Sequence, residues 1–280
     1  MQQKHKGLLW ILIWCLTFTC GVSTSKFLCN STSNFGLFCV RYLCGVLIFM
    51  PFFIKEIPKS TKPQSPLWQH LTRAACIGAS SLLTYQTYRN LPLAVATSIG
   101  FTGPLLAASF GILLLKEKPT SAKIMALTLG YMGVLFIVQP TYTPLSLYVF
   151  TGLGSCILAG VANTLARKLS QKDSAMTIMS TSTLTLGAIA LCGFFFLDEV
   201  INQHDLILLL LIGMFGSFSQ FAYINAVSHA EVSFVAPFEY TRLLIAVPLG
   251  YFMFAEVINY GQVFGMALIV VGSLYLSRKE

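Results

Sequence analysis

Apolar residues gather along this chain into ten long runs, near residues 8–25, 35–54, 71–88, 92–115, 124–140, 146–166, 174–197, 206–228, 231–254 and 260–277. A run of about 20 apolar residues is enough to carry an α-helix across the hydrocarbon core of a bilayer. Within lipid the backbone must satisfy its hydrogen bonds inside its own segment, so each run is expected to be a transmembrane helix. No polar stretch between the runs exceeds about fifteen residues, which leaves no room for a soluble domain or a linker. The first run begins at Leu8, behind Lys4 and Lys6, and continues to Lys26 without a small-x-small cleavage site. It is expected to be a span and not a signal peptide. The pattern predicts an all-α membrane protein.

Composition removes the rival classes. Of 280 residues 55% are hydrophobic and 10% charged, against roughly 25% charged in a soluble domain. Mean hydropathy is +0.74, and too few polar residues exist to coat a soluble fold of this size. The net charge of +8 would suit nucleic acid, but Lys and Arg fall in short clusters between apolar runs. That pattern orients a membrane protein. With the N-terminus in the cytoplasm, fourteen of the eighteen basic residues lie on the inner side: Lys4, Lys6, Lys55, Lys59, Lys62, Arg73, Lys116, Lys118, Lys123, Arg167, Lys168, Lys172, Arg278 and Lys279. The outer side holds only Lys26 and Arg89, and the outer loop after the seventh run carries Asp198, Glu199 and Asp205. Both termini are therefore expected in the cytoplasm. The eight cysteines form no CxxC pair and fall mostly in apolar runs, as packing residues do. No metal or cofactor is expected. Asn30-Ser31-Thr32 is a glycosylation sequon, with meaning only in a eukaryotic secretory pathway.

The two halves match each other without a gap. Glu117 and Glu256 stand 139 residues apart, and at the same spacing Thr102 meets Thr241, Leu105 meets Leu244, Ala107 meets Ala246, Gly111 meets Gly250 and Gly133 meets Gly272. Phe101 meets Tyr240. Residues 1–140 and 141–280 thus read as two copies of five spans each. Five is odd, so the second copy enters the membrane from the opposite side and the fold is a 5+5 inverted repeat. Secondary transporters use this design, with the solute site at the junction of the repeats.

The segments Thr84–Glu117 and Tyr223–Glu256 resemble the paired signature of the EamA branch of the drug/metabolite transporter superfamily. The resemblance is carried by Ala236-Pro237-Phe238, by the closing Glu, and by the glycine-bearing last helices Ala126–Gly133 and Gly265–Gly272. The first copy departs from it, with Thr97-Ser98-Ile99 in place of Ala236-Pro237-Phe238. The resemblance extends along the whole chain and implies a carrier in a bacterial inner membrane. Ala236-Pro237-Phe238-Glu239-Tyr240 and Arg41-Tyr42 are also similar to the S-adenosylmethionine carriers of obligate intracellular bacteria.

Charge inside the membrane marks the candidate site. An ionisable group deep in a span costs about 2.5–3.5 kcal/mol, so its presence points to function. Arg41, Glu239 and Arg242 are such groups, and the last two share a helical face at i and i+3. They are either a self-neutralising structural pair or part of a solute cavity. Gly100, Gly103, Pro104 and Pro237 weaken the helices at corresponding places in the two halves and are expected to break or hinge them. At the 139-residue spacing Gly100 faces Glu239 and Gly103 faces Arg242, so one half offers room and the other charge. Tyr85, Tyr88, Phe101, Tyr240 and Trp14 could complete an aromatic lining. Glu117 and Glu256, at span ends, are expected to cap a following helix or pair with a basic loop residue.

The expected function is transport of a small polar or zwitterionic metabolite. S-adenosylmethionine, exchanged for S-adenosylhomocysteine, is the first choice, and export of amino acids or other small metabolites is the alternative. An intramembrane enzyme and a lipid-carrier flippase rank lower. His5, His70, His204 and His229 show no HExxH spacing, no GxSxG elbow is present, and the chain is not expected to be an enzyme. The expected partners are a small solute and the lipid bilayer, without nucleic acid. Whether the protein pairs as a homodimer stays open.

Overall fold

The computed structural model describes residues 2–28, 32–56, 63–91, 96, 99–138, 146–195, 206–245, 248 and 260–279. All regular structure among them is helical. Ten α-helices follow in order: α1 Gln2–Leu28, α2 Asn34–Glu56, α3 Leu67–Asn90, α4 Gly103–Leu115, α5 Ser121–Val138, α6 Leu147–Leu169, α7 Ala175–Phe194, α8 Leu206–His229, α9 Val232–Val235 and α10 Tyr260–Lys279. A 3₁₀ segment, Ala236–Thr241, continues α9. Glu256, the second part of the ninth predicted span and the acidic stretch from Asp198 to Asp205 lie outside the described residues.

Helices α1, α2, α6, α7 and α8 are each long and apolar enough to cross a membrane, and α4 and α5 are shorter apolar helices. α3 falls outside that group because Ser80, Ser81, Thr84, Gln86, Thr87, Arg89 and Asn90 crowd its second half. Starts follow the local sequence. Pro66 precedes α3 and Pro104 sits in the first turn of α4, where a missing N–H costs nothing. The Ser146 and Ser174 hydroxyls accept from Tyr148 and Thr177 N–H to open α6 and α7.

Packing pairs α1 with α8, α3 with α6, α5 with α10, and α2 with α7 and α8. Lipid offers no hydrophobic drive between helices, so small residues that let backbones approach matter most. Gly133 lies against the Gly265 carbonyl and Ile269, and Gly272 lies against Ala126 and Leu129, which brings α5 and α10 into close contact. Gly7 meets Ala226 and Ala230 where α1 starts and α8 ends.

The contacts define two ends. At the near end, where α1 begins, lie the ends of α4, α6, α8 and α10 and the starts of α3, α5, α7 and α9. The largest apolar cluster fills it, with Ile11, Phe49, Phe53, Leu169, Met179, Val227, Val235, Phe238 and Leu276. At the far end α2 begins and α3 ends. There Arg89 donates to the Thr32 carbonyl and Thr87 shares a 2.9 Å hydroxyl contact with Thr151.

Candidate functional site

Regular α-helix is interrupted in both halves of the chain. In the first, helix stops at Gly100, Phe101 and Thr102 form a turn, and α4 restarts at Gly103. The run at 92–115 is therefore not one helix. In the second, α9 gives way after one turn to the 3₁₀ segment, with Pro237 near its start. Such breaks free carbonyls that need new donors. The Ile99 carbonyl accepts from Thr102 N–H at 2.9 Å, from Thr102 Oγ1 at 2.7 Å and from Cys156 Sγ of α6 at 3.4 Å. The Phe238 carbonyl accepts from Thr241 Oγ1 at 2.7 Å and from Cys15 Sγ of α1 at 3.5 Å. Two cysteines expected only to fill space thus each add a hydrogen bond at a break.

Between the breaks lies a cavity of about 180 Å³, walled by α1, α2, α3, α6, α8 and the two interrupted segments. Arg41, Tyr85, Tyr88, Gly100, Gly103, Pro104, Glu239, Arg242 and Trp14 line it, all expected from the sequence. Arg41 donates from Nη1 to Tyr85 Oη at 3.3 Å and lies 5.6 Å from the Tyr42 ring. Arg242 sits in a cup of rings, 4.1 Å from the Phe101 centroid, 5.2 Å from Phe18 and 5.8 Å from Trp14. Glu239 is 5% exposed and accepts from Tyr223 Oη at 3.0 Å. Among the described residues Glu239 and Arg242 form no ion pair. The carboxylate and both guanidiniums keep hydrogen-bonding capacity, since a carboxylate has about four acceptor sites and a guanidinium five donors.

Three expected residues sit elsewhere. Phe101 is buried beneath Arg242 and supports it without lining the cavity. Tyr240 is fully buried, its ring seated on Gly130 where any side chain would collide with it. The 3₁₀ winding turns Tyr240 toward α5 and leaves Glu239 toward the cavity. Pro237 shapes that winding and is buried off the cavity wall. The lining also includes Phe18, Ser80, Ser81, Thr84, Asn163, Ser219, Gln220 and Tyr223, which the sequence reading did not single out. For α3 the signal was there, a polar stripe at i, i+4 and i+7 spacing within a nominal span.

A second cleft of about 70 Å³ adjoins the cavity toward the far end, lined by Thr17, Gly21, Ile212, Phe215 and again Arg41 and Tyr85. The near end is tied shut. Lys116 takes a left-handed conformation (φ 56°) that turns the chain out of α4. Glu117 then places Oε1 on Val232 N–H and Oε2 on Ser233 N–H, both at 2.9 Å. It caps a helix as expected, but the helix belongs to the other half of the chain. Lys123 pairs with Glu231 beside it, and Arg167 donates to the Val227 carbonyl at 2.7 Å. Asp173 accepts from Gln64 N–H at 2.7 Å, from Ser65 N–H at 3.3 Å and lies 3.2 Å from His70 Nε2. Burial pushes the Asp173 carboxyl up, but these bonds outweigh it and hold it below the usual carboxylate range. The tie is therefore complete above that range and loosens as pH falls through the depressed value.

The model of the EamA-like transporter family matches residues 5–139 and again 146–278. Among similar proteins, the S-adenosylmethionine uptake transporter of Rickettsia prowazekii (strain Madrid E) is 23% identical, over 100% of this chain and 95% of its own length. The riboflavin transporter of Vibrio cholerae serotype O1 is 27% identical, over 100% of this chain and 96% of its own. A solved crystal structure superposes with a TM-score of 0.79 at 14% identity, covering 99% of this chain and 97% of that one, which shows a shared fold.

Proposed function

Because this chain belongs to the EamA-like transporter family and is an integral membrane transporter, we propose that it carries a small zwitterionic metabolite by alternating access, with S-adenosylmethionine entering in exchange for S-adenosylhomocysteine. One observation carries this reading. At the 139-residue spacing Ser80 and Ser219, Ser81 and Gln220, Thr84 and Tyr223, Gly100 and Glu239, and Gly103 and Arg242 all line the same cavity. Equivalent positions of two copies converge on one place when the axis relating the copies passes through it. The packing supports the same arrangement, since exchanging the copies turns the Gly133–Gly265 contact into the Gly272–Ala126 contact and the α1–α8 pair into α6–α3. Two five-span copies of opposite topology, residues 1–140 and 141–280, fit both facts. The near end, rich in Lys and Arg, is then cytoplasmic, and the cavity faces outward.

The charges suit a solute bearing both signs. A planar guanidinium fork, Arg41 or Arg242, takes the carboxylate, and Glu239 takes the ammonium or sulfonium. Trp14 and Phe18 offer π faces to a heteroaromatic ring. Purified protein in liposomes loaded with unlabelled S-adenosylmethionine should accumulate the labelled compound faster than empty liposomes do, as a carrier does and a channel does not. S-adenosylhomocysteine should compete. Absence of both effects with protein present would sink the substrate assignment. Reporters fused within residues 198–205 should face outward, and a cytoplasmic reading there would break the inverted repeat. A second reading, uptake of riboflavin, draws on the 27%-identical relative and on the aromatic lining; labelled riboflavin in the same vesicles decides between them.

A further inference from the structure

Arg73 was expected at the inner membrane edge, yet it is 1% exposed, enclosed among α2, α3, α7 and α8. Its Nη1 donates to Ser182 Oγ at 2.6 Å, while Nε has no hydrogen-bond partner. Among the described residues no carboxylate pairs with it. A buried guanidinium without a counter-charge is costly inside a membrane, and this one does not line the central cavity. It continues the cavity face of α3 toward the near end, one turn below Ile77, which lines the cavity. Ser182, its partner, lines a small cleft of about 10 Å³ that Arg41 also borders.

The internal repeat says what that position becomes. Arg73 stands 139 residues before Ile212, which lines the far-end cleft in the present state. When the halves trade shapes, the cleft opens at the near end, bordered by the equivalents of the present lining: Arg73, Ile77, Ser80, Cys156, Gly160 and Tyr223. In the far-end cleft Arg41 is the charged residue among those described. In its near-end counterpart Arg73 holds that role.

We propose that Arg73 is the near-side anion station of the transport cycle, taking over from Arg41 the carboxylate of the solute when the cavity opens to the cytoplasm. This rests on the inverted-repeat carrier reading above. It makes Arg73 a specificity-determining residue for the second half of the cycle, selecting solutes with an anionic group. It also explains a buried charge held by a single neutral hydroxyl, since a carboxylate there would compete with the solute.

Two measurements test it. In liposomes, Arg73→Gln should slow exchange of S-adenosylmethionine about ten- to a hundredfold, while leaving far-side binding and exchange of decarboxylated S-adenosylmethionine within about threefold. Equal slowing of both compounds, or equal loss of far-side binding, would return Arg73 to a structural role. Should Arg73→Gln fail to reach the membrane, Arg73→Lys serves, with a smaller bias in the same direction expected. The second measurement needs no assigned solute. With Ser182→Cys in a background freed of native cysteines, a sulfonate-bearing methanethiosulfonate applied at the near end should react about tenfold faster than its trimethylammonium analogue. Arg73→Gln should erase the preference. No labelling, or an unchanged ratio, overturns the proposal. Failure of the wild type to move S-adenosylmethionine would sink the substrate assignment alone and leave the labelling result to decide on Arg73.

Discussion

The two interrupted segments fall in stretches that match at the 139-residue spacing in the sequence, yet they differ in content. Residues 99–104 break with glycines, and Gly103 leaves nothing within 4 Å of where a Cβ would stand. Residues 236–242 break through a 3₁₀ turn and carry Glu239 and Arg242. In both, a carbonyl at the break also accepts from a cysteine of the opposite half, Cys156 for one and Cys15 for the other. The backbone solution is thus shared while the side chains have diverged. On the proposed carrier reading, the shared backbone would let the halves exchange shapes and the differing side chains would give the solute one orientation.

Each prediction bears on that division of labour, and the largest effect falls on the charged segment. Glu239→Gln keeps the shape and the Tyr223 contact but removes the charge, and should weaken solute affinity about ten- to a hundredfold at normal protein levels. Replacing Glu239 and Arg242 together with apolar residues should not restore transport. Normal uptake by that double variant would return both to a structural role. Next comes the room in the other segment. Gly103→Leu should cut transport about tenfold or more without lowering the melting temperature, since its side chain enters the cavity. Gly130→Ala should do the reverse, costing about 1–3 kcal/mol of stability as it meets the Tyr240 ring. A stability loss from Gly103→Leu like that of Gly130→Ala would mean the glycine segment is packing and not room. Glu117→Ala should cost about 0.5–2 kcal/mol by uncapping the segment that carries the charges, and it should raise near-side labelling of cavity cysteines. The smallest effects belong to the thiols. Cys15→Ala and Cys156→Ala should each lower stability by about 0.5–1.5 kcal/mol and by similar amounts; a large difference would show that the two breaks are not held alike.

Much of this was legible beforehand, and the reasons differ by residue. Arg41, Glu239 and Arg242 stood out because lipid makes charge conspicuous. Gly100 and Gly103 stood out because the repeat set them opposite those charges. Tyr240 did not follow, because its direction depends on 3₁₀ winding that places it on Gly130, and no helical wheel with 3.6-residue spacing would give it. Arg73 read as a topological charge, because burial at a span edge depends on neighbours contributed by α7, a hundred residues away in sequence. Glu117 read as a cap, but its helix lay in the other half of the chain, a partner that only the assembled bundle reveals.

The pairing of α1 with α8 has a consequence for how the protein is made. Between Leu28, where α1 ends, and Leu206, where α8 begins, lies most of the chain. At about 5–20 residues per second of synthesis, α1 waits on the order of 10–40 s for its partner. Through that interval Trp14 and Cys15 face lipid or a chaperoning surface, and their later contacts with Tyr223 of α8 and with the 3₁₀ segment do not yet exist. The first helix is thus among the last to be secured, and the biogenesis machinery, not the finished fold, must hold it in place until α8 emerges.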